Sequence, residues 1–237
     1  PLNPKISSYT GFKTEYVGEL PRVYIDAYAS GVQMLTEMLY WDKETGKLVS
    51  PFYTSDPAAN PVTLRNVIVE SSDINQDRNI EIPLTSVLPG SSIIGSDESK
   101  STALYIVNWS HYENGKFRTV KRTYYNTNDM FSIVYPDEWK NQVTIQQHLT
   151  NRLTTFTYYA PGTKRNGLEL FSIKAFPVMS FHTDLLGDYE QFLSNKNFTY
   201  AYRITEEGRK FGITEDFITS EFNAVKTQSQ SSMNIKF

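Results

Sequence analysis

The sequence predicts a mainly β fold of the α+β class, with antiparallel sheets in two modules and a C-terminal helix packed on the sheet of the second. Three observations carry this expectation. Most periodic segments alternate apolar and polar residues at period two, the pattern of half-buried strands. Those segments are rich in Val, Ile and Thr and hold most of the 16 Tyr and 14 Phe, residues that fit a pleated surface. They are separated by Gly, Pro, Asn and Asp clusters, and two of the separators read as hairpin turns, Asp42-Lys43-Glu44-Thr45-Gly46 and Glu113-Asn114-Gly115, because Gly and Asn accept positive φ.

In chain order, the first half offers strands at Arg22–Tyr28, Val32–Trp41, Val67–Glu70, Ile80–Pro83, Ala103–Tyr112 and Lys116–Asn126. Val32, Leu35, Met38 and Leu39 also satisfy helical spacing. Tyr40-Trp41 and the turn behind them favour a strand there. Ser50–Pro61, with Pro51, Pro57 and Pro61, and Ser91–Ser101 read as loops. A first module over residues 1–126 therefore consists of strands, and a second over 127–237 starts near Asn126–Asp129. Its strands are Phe131–Tyr135, Gln142–Leu149, Leu153–Tyr159, Leu168–Phe176, Tyr189–Leu193 and Phe198–Ile204, with turns at Pro161-Gly162 and Ser194–Asn197. One helix follows: Thr214 caps it, Glu215 and Asp216 suit its positive end, Ile213 staples onto Ile218, and Ile218, Phe222 and Val225 form an apolar stripe. Met233–Phe237 offers a terminal strand.

Net charge is −3 with acids and bases interspersed, which does not provide the basic stripe that nucleic-acid binding requires. The chain has 0 Cys, which excludes disulfides, thiolate metal sites and a cysteine nucleophile and fits bacterial export better than eukaryotic secretion. It starts at Pro1 with no Met or apolar signal segment, so it reads as a processed or excised fragment, and no apolar run approaches the roughly 18 residues of a membrane helix. The triplets Asn108-Trp109-Ser110 and Asn197-Phe198-Thr199 match the glycosylation pattern but carry no weight at this Asn, Ser and Thr content.

The most specific motif is Asp73-Ile74-Asn75-Gln76-Asp77-Arg78-Asn79-Ile80-Glu81. Side-chain oxygens recur at every second position, as a tight loop around a structural calcium ion requires, so Asp73, Asn75, Asp77, Asn79 and Glu81 are the candidate metal ligands. Leu84 stands where an EF-hand needs its bidentate Glu, which rules out the helix-loop-helix form. The alternative is a solvated turn whose acids and amides satisfy their own backbone.

Asp73, Asn75, Asp77 and Glu81 resemble the calcium loop of FG-GAP or VCBS-type repeats in extracellular β-propellers. Arg78 departs from the Gly of that pattern, and a positive φ there costs a non-Gly residue about 1–2 kcal/mol. The resemblance covers residues 20–90, and since the first 125 residues are too few to close a propeller, it implies either partial propeller blades with others upstream or a smaller open sheet. Phe131, Ile133, Tyr135-Pro136 and Trp139 resemble the opening of the PsbP-type α/β sandwich. Together the halves resemble uncharacterised lipoprotein ectodomains of Gram-positive bacteria, which implies a bacterial cell-surface location and membrane attachment only through an anchor upstream of Pro1.

No catalytic pattern emerges. His111, His148 and His182 lack zinc-hydrolase spacing. No nucleophile elbow exists. Gly90 to Gly95 has the gap of a phosphate loop, but Ser96 replaces the Lys. Asp137-Glu138 beside Trp139 reads as a turn closed by a buried Trp, because adjacent carboxylates cannot flank a glycosidic bond. Glu206–Lys210 reads as a solvated mixed-charge turn. Tyr124-Tyr125, Tyr158-Tyr159, Tyr200 and Tyr202 are candidates for a binding face, with at least half of them facing the core. The expectation is a non-catalytic extracellular binding module for a protein or carbohydrate ligand, the alternative being a hydrolase with a site between the modules, and a third reading a purely architectural segment.

Overall fold

The computed structural model describes residues 2–29, 33–53, 56, 58–95 and 103–225. The fold is β-rich with antiparallel sheets, as the period-two pattern predicts. The strands of the first half are β1 (Ser8–Val17), β2 (Leu20–Tyr28), β3 (Met34–Asp42), β4 (Lys47–Val49), β5 (Ile82–Val87), β6 (Ser92–Ile94), β7 (Tyr105–Glu113) and β8 (Lys116–Asn126). Then come β9 (Phe131–Val134), β10 (Val143–His148), β11 (Leu153–Tyr158), β12 (Glu169–Pro177), β13 (Glu190–Ser194) and β14 (Phe198–Ile204), followed by α1 (Glu206–Phe211), α2 (Glu215–Glu221) and β15 (Phe222–Ala224). Two compact units result, 2–86 with 107–122, and 87–106 with 123–225. Segment 87–106, ahead of the boundary expected at Asn126, clusters with the second.

In the first unit β1 to β4 form an antiparallel meander. Gly18, at φ 63, takes the first central position of the two-residue β1–β2 loop, where a type II′ turn needs positive φ. Asp42 closes the β3–β4 hairpin, accepting from the Glu44 amide at 3.0 Å and the Thr45 hydroxyl at 2.6 Å. Asn114 at φ 51 and Gly115 at φ 76 make the β7–β8 turn, as expected. Tyr24 and Met38 from the inner face of the meander pack with Phe52, Ile80 and Ile82, and Phe52 stacks on Phe117 at 5.3 Å and meets Tyr112 edge-on at 4.9 Å.

Three expectations in this half need correcting, and one strand was missed. Ser8–Val17 is a strand that its sparse alternation did not announce. Val67–Glu70 is not a strand: the buried Arg65 guanidinium donates to the Val69 carbonyl at 2.8 Å, and the Val69 amide donates to the Val67 carbonyl at 3.1 Å. The strand expected at Ile80–Pro83 runs later, Ile82–Val87. The stretch Ser91–Ser101 contains β6, which lies parallel to β10.

The second unit holds a six-stranded sheet in the order β13-β14-β12-β11-β10-β6. The base of β8, with β9 and β15, forms a further ladder from Thr123↔Val134 to Asn126↔Phe131. Its core is aromatic: Phe156 stacks on Phe171 at 4.1 Å, and Trp139 packs against Phe156, Phe171 and Phe217.

The helical end also differs from expectation. Glu206–Phe211 is a helix rather than a turn, capped by Thr205, whose hydroxyl accepts from the Gly208 amide at 3.0 Å. Gly208 lets it lie directly on β12, since a Cβ there would overlap the Leu170 carbonyl oxygen. Thr214 caps α2 as predicted, accepting from the Phe217 amide. The helix stops at Glu221, however, because Phe222–Ala224 pairs with β9 and the Phe222 ring stacks on Phe131 at 5.1 Å. The stripe through Phe222 and Val225 is therefore half strand. Met233–Phe237 lies outside the described residues.

Candidate functional site

The Asp73–Glu81 loop is closed at its base by a two-way backbone bridge between Ser72 and Glu81. Within it, Asp73 accepts from the Asp77 amide through Oδ1 at 3.0 Å and from the Arg78 amide through Oδ2 at 2.9 Å. Asp77 accepts from the Asn79 amide at 2.8 Å and from Asn75 Nδ2 at 2.9 Å, contacts that hold its carboxyl below the usual range. The chain turns tightly at Gln76, φ 62, and at Arg78, φ 73, so Arg78 occupies the left-handed conformation for which Gly is suited.

Glu81 behaves differently. Its side chain is fully buried; Oε2 accepts from the Ile74 amide at 3.0 Å, while Oε1 is buried with no hydrogen-bond partner among the described residues. Burial raises its pKa to about 7, and the neighbouring charges of Asp77, Asp73 and Glu15 add to the effect against the Ile74 amide. A carboxylate oxygen buried without a donor, beside two more acids, fits the donor set of a hard cation. In this conformation, no three acidic or histidine side chains among the described residues are arranged to hold a metal ion. Asn79 meets Asp77 as a donor, through its backbone amide at 2.8 Å and through its side chain.

Behind the loop, Glu15 on β1 joins it to the sheet. Its Oε2 accepts from the Ile80 amide at 2.6 Å, and its Oε1 accepts from Tyr24 Oη at 2.6 Å and Arg22 Nη1 at 3.2 Å. His111 Nε2 lies 3.6 Å from the same Oε1 and has no hydrogen-bond partner among the described residues. A second buried network is complete: Asp26 accepts from Thr36 Oγ1, Ser71 Oγ, Arg65 Nη2 and Lys13 Nζ, and burial lowers the Arg65 pKa to about 10. Both networks were invisible in the sequence because their members are scattered, from Glu15 to His111 in the first and from Lys13 to Ser71 in the second.

The tyrosines picked as a binding face are mostly core. Tyr124, Tyr158, Tyr200 and Tyr202 are buried, and Tyr124, Tyr158 and Tyr200 join the aromatic interior of the second unit. Trp139 is buried behind a 3-10 turn over Asp137–Trp139, as expected, and forms the floor of a shallow recess with Phe211, Phe217 and Pro136. The exposed aromatics lie elsewhere. Phe12, Thr14 and Tyr16 share the outer face of β1, and the register Tyr16↔Pro21, then Trp41↔Leu48, extends one row across the meander. Tyr16 is 71% exposed, Leu48 62% and Trp41 48%. The other end of that face is covered, since Ile6 and Leu64 pack on Ala27 and Leu35.

No protein-family profile, curated protein or solved structure matches this chain.

Proposed function

We propose that this chain is a non-catalytic binding module of the bacterial cell surface, engaging an extended carbohydrate or a protein surface through the outer face of its first sheet. The observation that carries this reading is the row Tyr16, Pro21, Trp41, Leu48. Tyr16 and Trp41 are two strands apart, about 10 Å, and side chains of this kind offer rigid apolar area at low entropic cost. A contiguous exposed apolar row on a sheet marks an interaction surface more often than chance. Trp41 also supplies the assay. Its fluorescence is titrated with soluble glucans, chitin fragments and peptidoglycan fragments, and retention on the insoluble polymers is measured for the wild type and Trp41→Ala. A spectral shift and retention, both lost in Trp41→Ala, is the expected result for a carbohydrate ligand; retention that survives Trp41→Ala refutes the face.

In the same reading the Asp73–Glu81 loop takes a structural calcium ion, held by Asp73, Asn75, Asp77, Asn79 and Glu81, and fixes the edge of the sheet through Glu15. The orphaned Glu81 oxygen supports it, and a location outside the cell would supply millimolar calcium. Isothermal titration tests it: no heat and no thermal shift at millimolar calcium removes the metal.

A further inference from the structure

Strand β1 ends the four-stranded meander. Among the described residues, the backbone of 12–17 bonds to no segment other than β2. The direction of its free groups follows from the hairpin. A two-residue loop at Gly18-Glu19 makes Val17 and Leu20 the hydrogen-bonded pair that closes it, and pairs alternate along an antiparallel ladder. Lys13 and Glu15 therefore bond inward to β2, and the N–H and C=O of Phe12, Thr14 and Tyr16 point to the open edge. Pro21, which has no N–H, sits opposite Tyr16, where this phase asks for none.

The edge is self-complementary in one register. Placed antiparallel to a second β1 about a two-fold axis at Thr14, Thr14 meets Thr14, Phe12 meets Tyr16 twice on the solvent face, and Lys13 meets Glu15 twice on the other. Moving the axis by one residue either way sets Phe12 or Tyr16 against Thr14 instead of against each other, so the exposed aromatic pair on the solvent face is made only with the axis at Thr14. The groups turned outward are the ones this register bonds. We propose that β1 is a strand-pairing site for a second copy of this chain, centred on Thr14. This deepens the reading of the first sheet as an interaction surface by naming a protein partner, and continues its outer face across the junction.

Two features limit the strength of the pairing. The register shift between Tyr9 and Gly11 ends the regular stretch. Lys13 and Glu15 already pair internally, with Asp26 and Glu70 and with Arg22, and the Glu15 side chain is buried, so neither adds an ion pair across the junction. Pairing by a short strand gives a weak, concentration-dependent dimer rather than an obligate one.

Sedimentation velocity of the full chain from micromolar to millimolar concentration tests the proposal alongside Thr14→Pro. That substitution removes an outward N–H from each copy and none that bonds to β2, so the dimer dissociation constant should rise about tenfold or more with an unchanged circular-dichroism spectrum. Should Thr14→Pro disturb the strand itself, Thr14→Cys in this Cys-free chain gives the second readout. On mild oxidation it should form a covalent dimer, whereas Lys43→Cys in the exposed β3–β4 turn should not. A chain that stays monomeric throughout and fails to cross-link at position 14, or a dimer that Thr14→Pro leaves untouched, overturns the proposal. Neither result bears on the Trp41 face, which the polymer-retention experiment reads separately.

Discussion

Replacing Glu81 with Gln should stabilise the first unit in the absence of calcium, against the usual outcome for a fully buried residue. The carboxyl is lifted from 4.5 to about 7 by burial and by the charges of Asp77, Asp73 and Glu15, which corresponds to about 3 kcal/mol of free energy carried by the ionised form. Because the folded carboxyl binds its proton more tightly than the unfolded one, the folded state holds more protons between pH 4.5 and about 7. Stability therefore falls as the pH rises through that window. Gln is neutral and nearly isosteric, keeps an oxygen for the Ile74 amide, and places an amide where Oε1 has no donor. In chelator at about pH 8, Glu81→Gln should gain up to about 3 kcal/mol, with the gap shrinking toward zero at about pH 4. Calcium should reverse the order, since a carboxylate binds the cation and an amide replaces it poorly. Native-state hydrogen exchange of β2 and β3 peptides reads this unit separately from the other, as a single global transition would not. A loss of stability in chelator at about pH 8, or a gap that does not depend on pH, refutes the account of Glu81 as a carboxylate buried without compensation.

Arg78 sits at φ 73, so Arg78→Gly should stabilise the loop by about 1 kcal/mol and tighten calcium binding, both measurable by thermal shift and titration calorimetry. Arg65→Met removes the buried partner of Asp26 and the donor to Val69 and Thr63. It should cost about 3–5 kcal/mol in the first unit by hydrogen exchange, partly restored by adding Asp26→Asn. Gly208→Ala forces α1 off β12 and should lower the stability of the second unit by about 1–3 kcal/mol, read in peptides of β12 and β14, while those of β2 and β3 are unchanged.

What the sequence determined by itself was the set of features that depend on neighbours along the chain. Alternation at period two placed β8 and β14 to the residue, because side chains on a strand must face opposite sides whatever lies across from them. The Asn114-Gly115 turn and the Thr214 cap were equally legible, since each is decided by one residue's φ or one hydroxyl. The acidic loop was visible as a spacing, and so was the positive φ at Arg78, whereas the one at Gln76 was not. Tertiary structure alone decided which strand groups were left over and which charges were compensated. Val67–Glu70 has strand composition, yet Arg65 and Asp26 claim its surroundings from other parts of the chain. Phe222 fits a helical stripe, but the ring of Phe131 and the edge of β9 offer it more burial than a further helical turn does. Which tyrosines face water could not be read either, because a Tyr that alternates correctly on a central strand is covered by the opposite layer, whereas Tyr16 on an edge strand is not. Burial and compensation depend on what lies across the fold, and pairwise spacing along the chain does not contain that information.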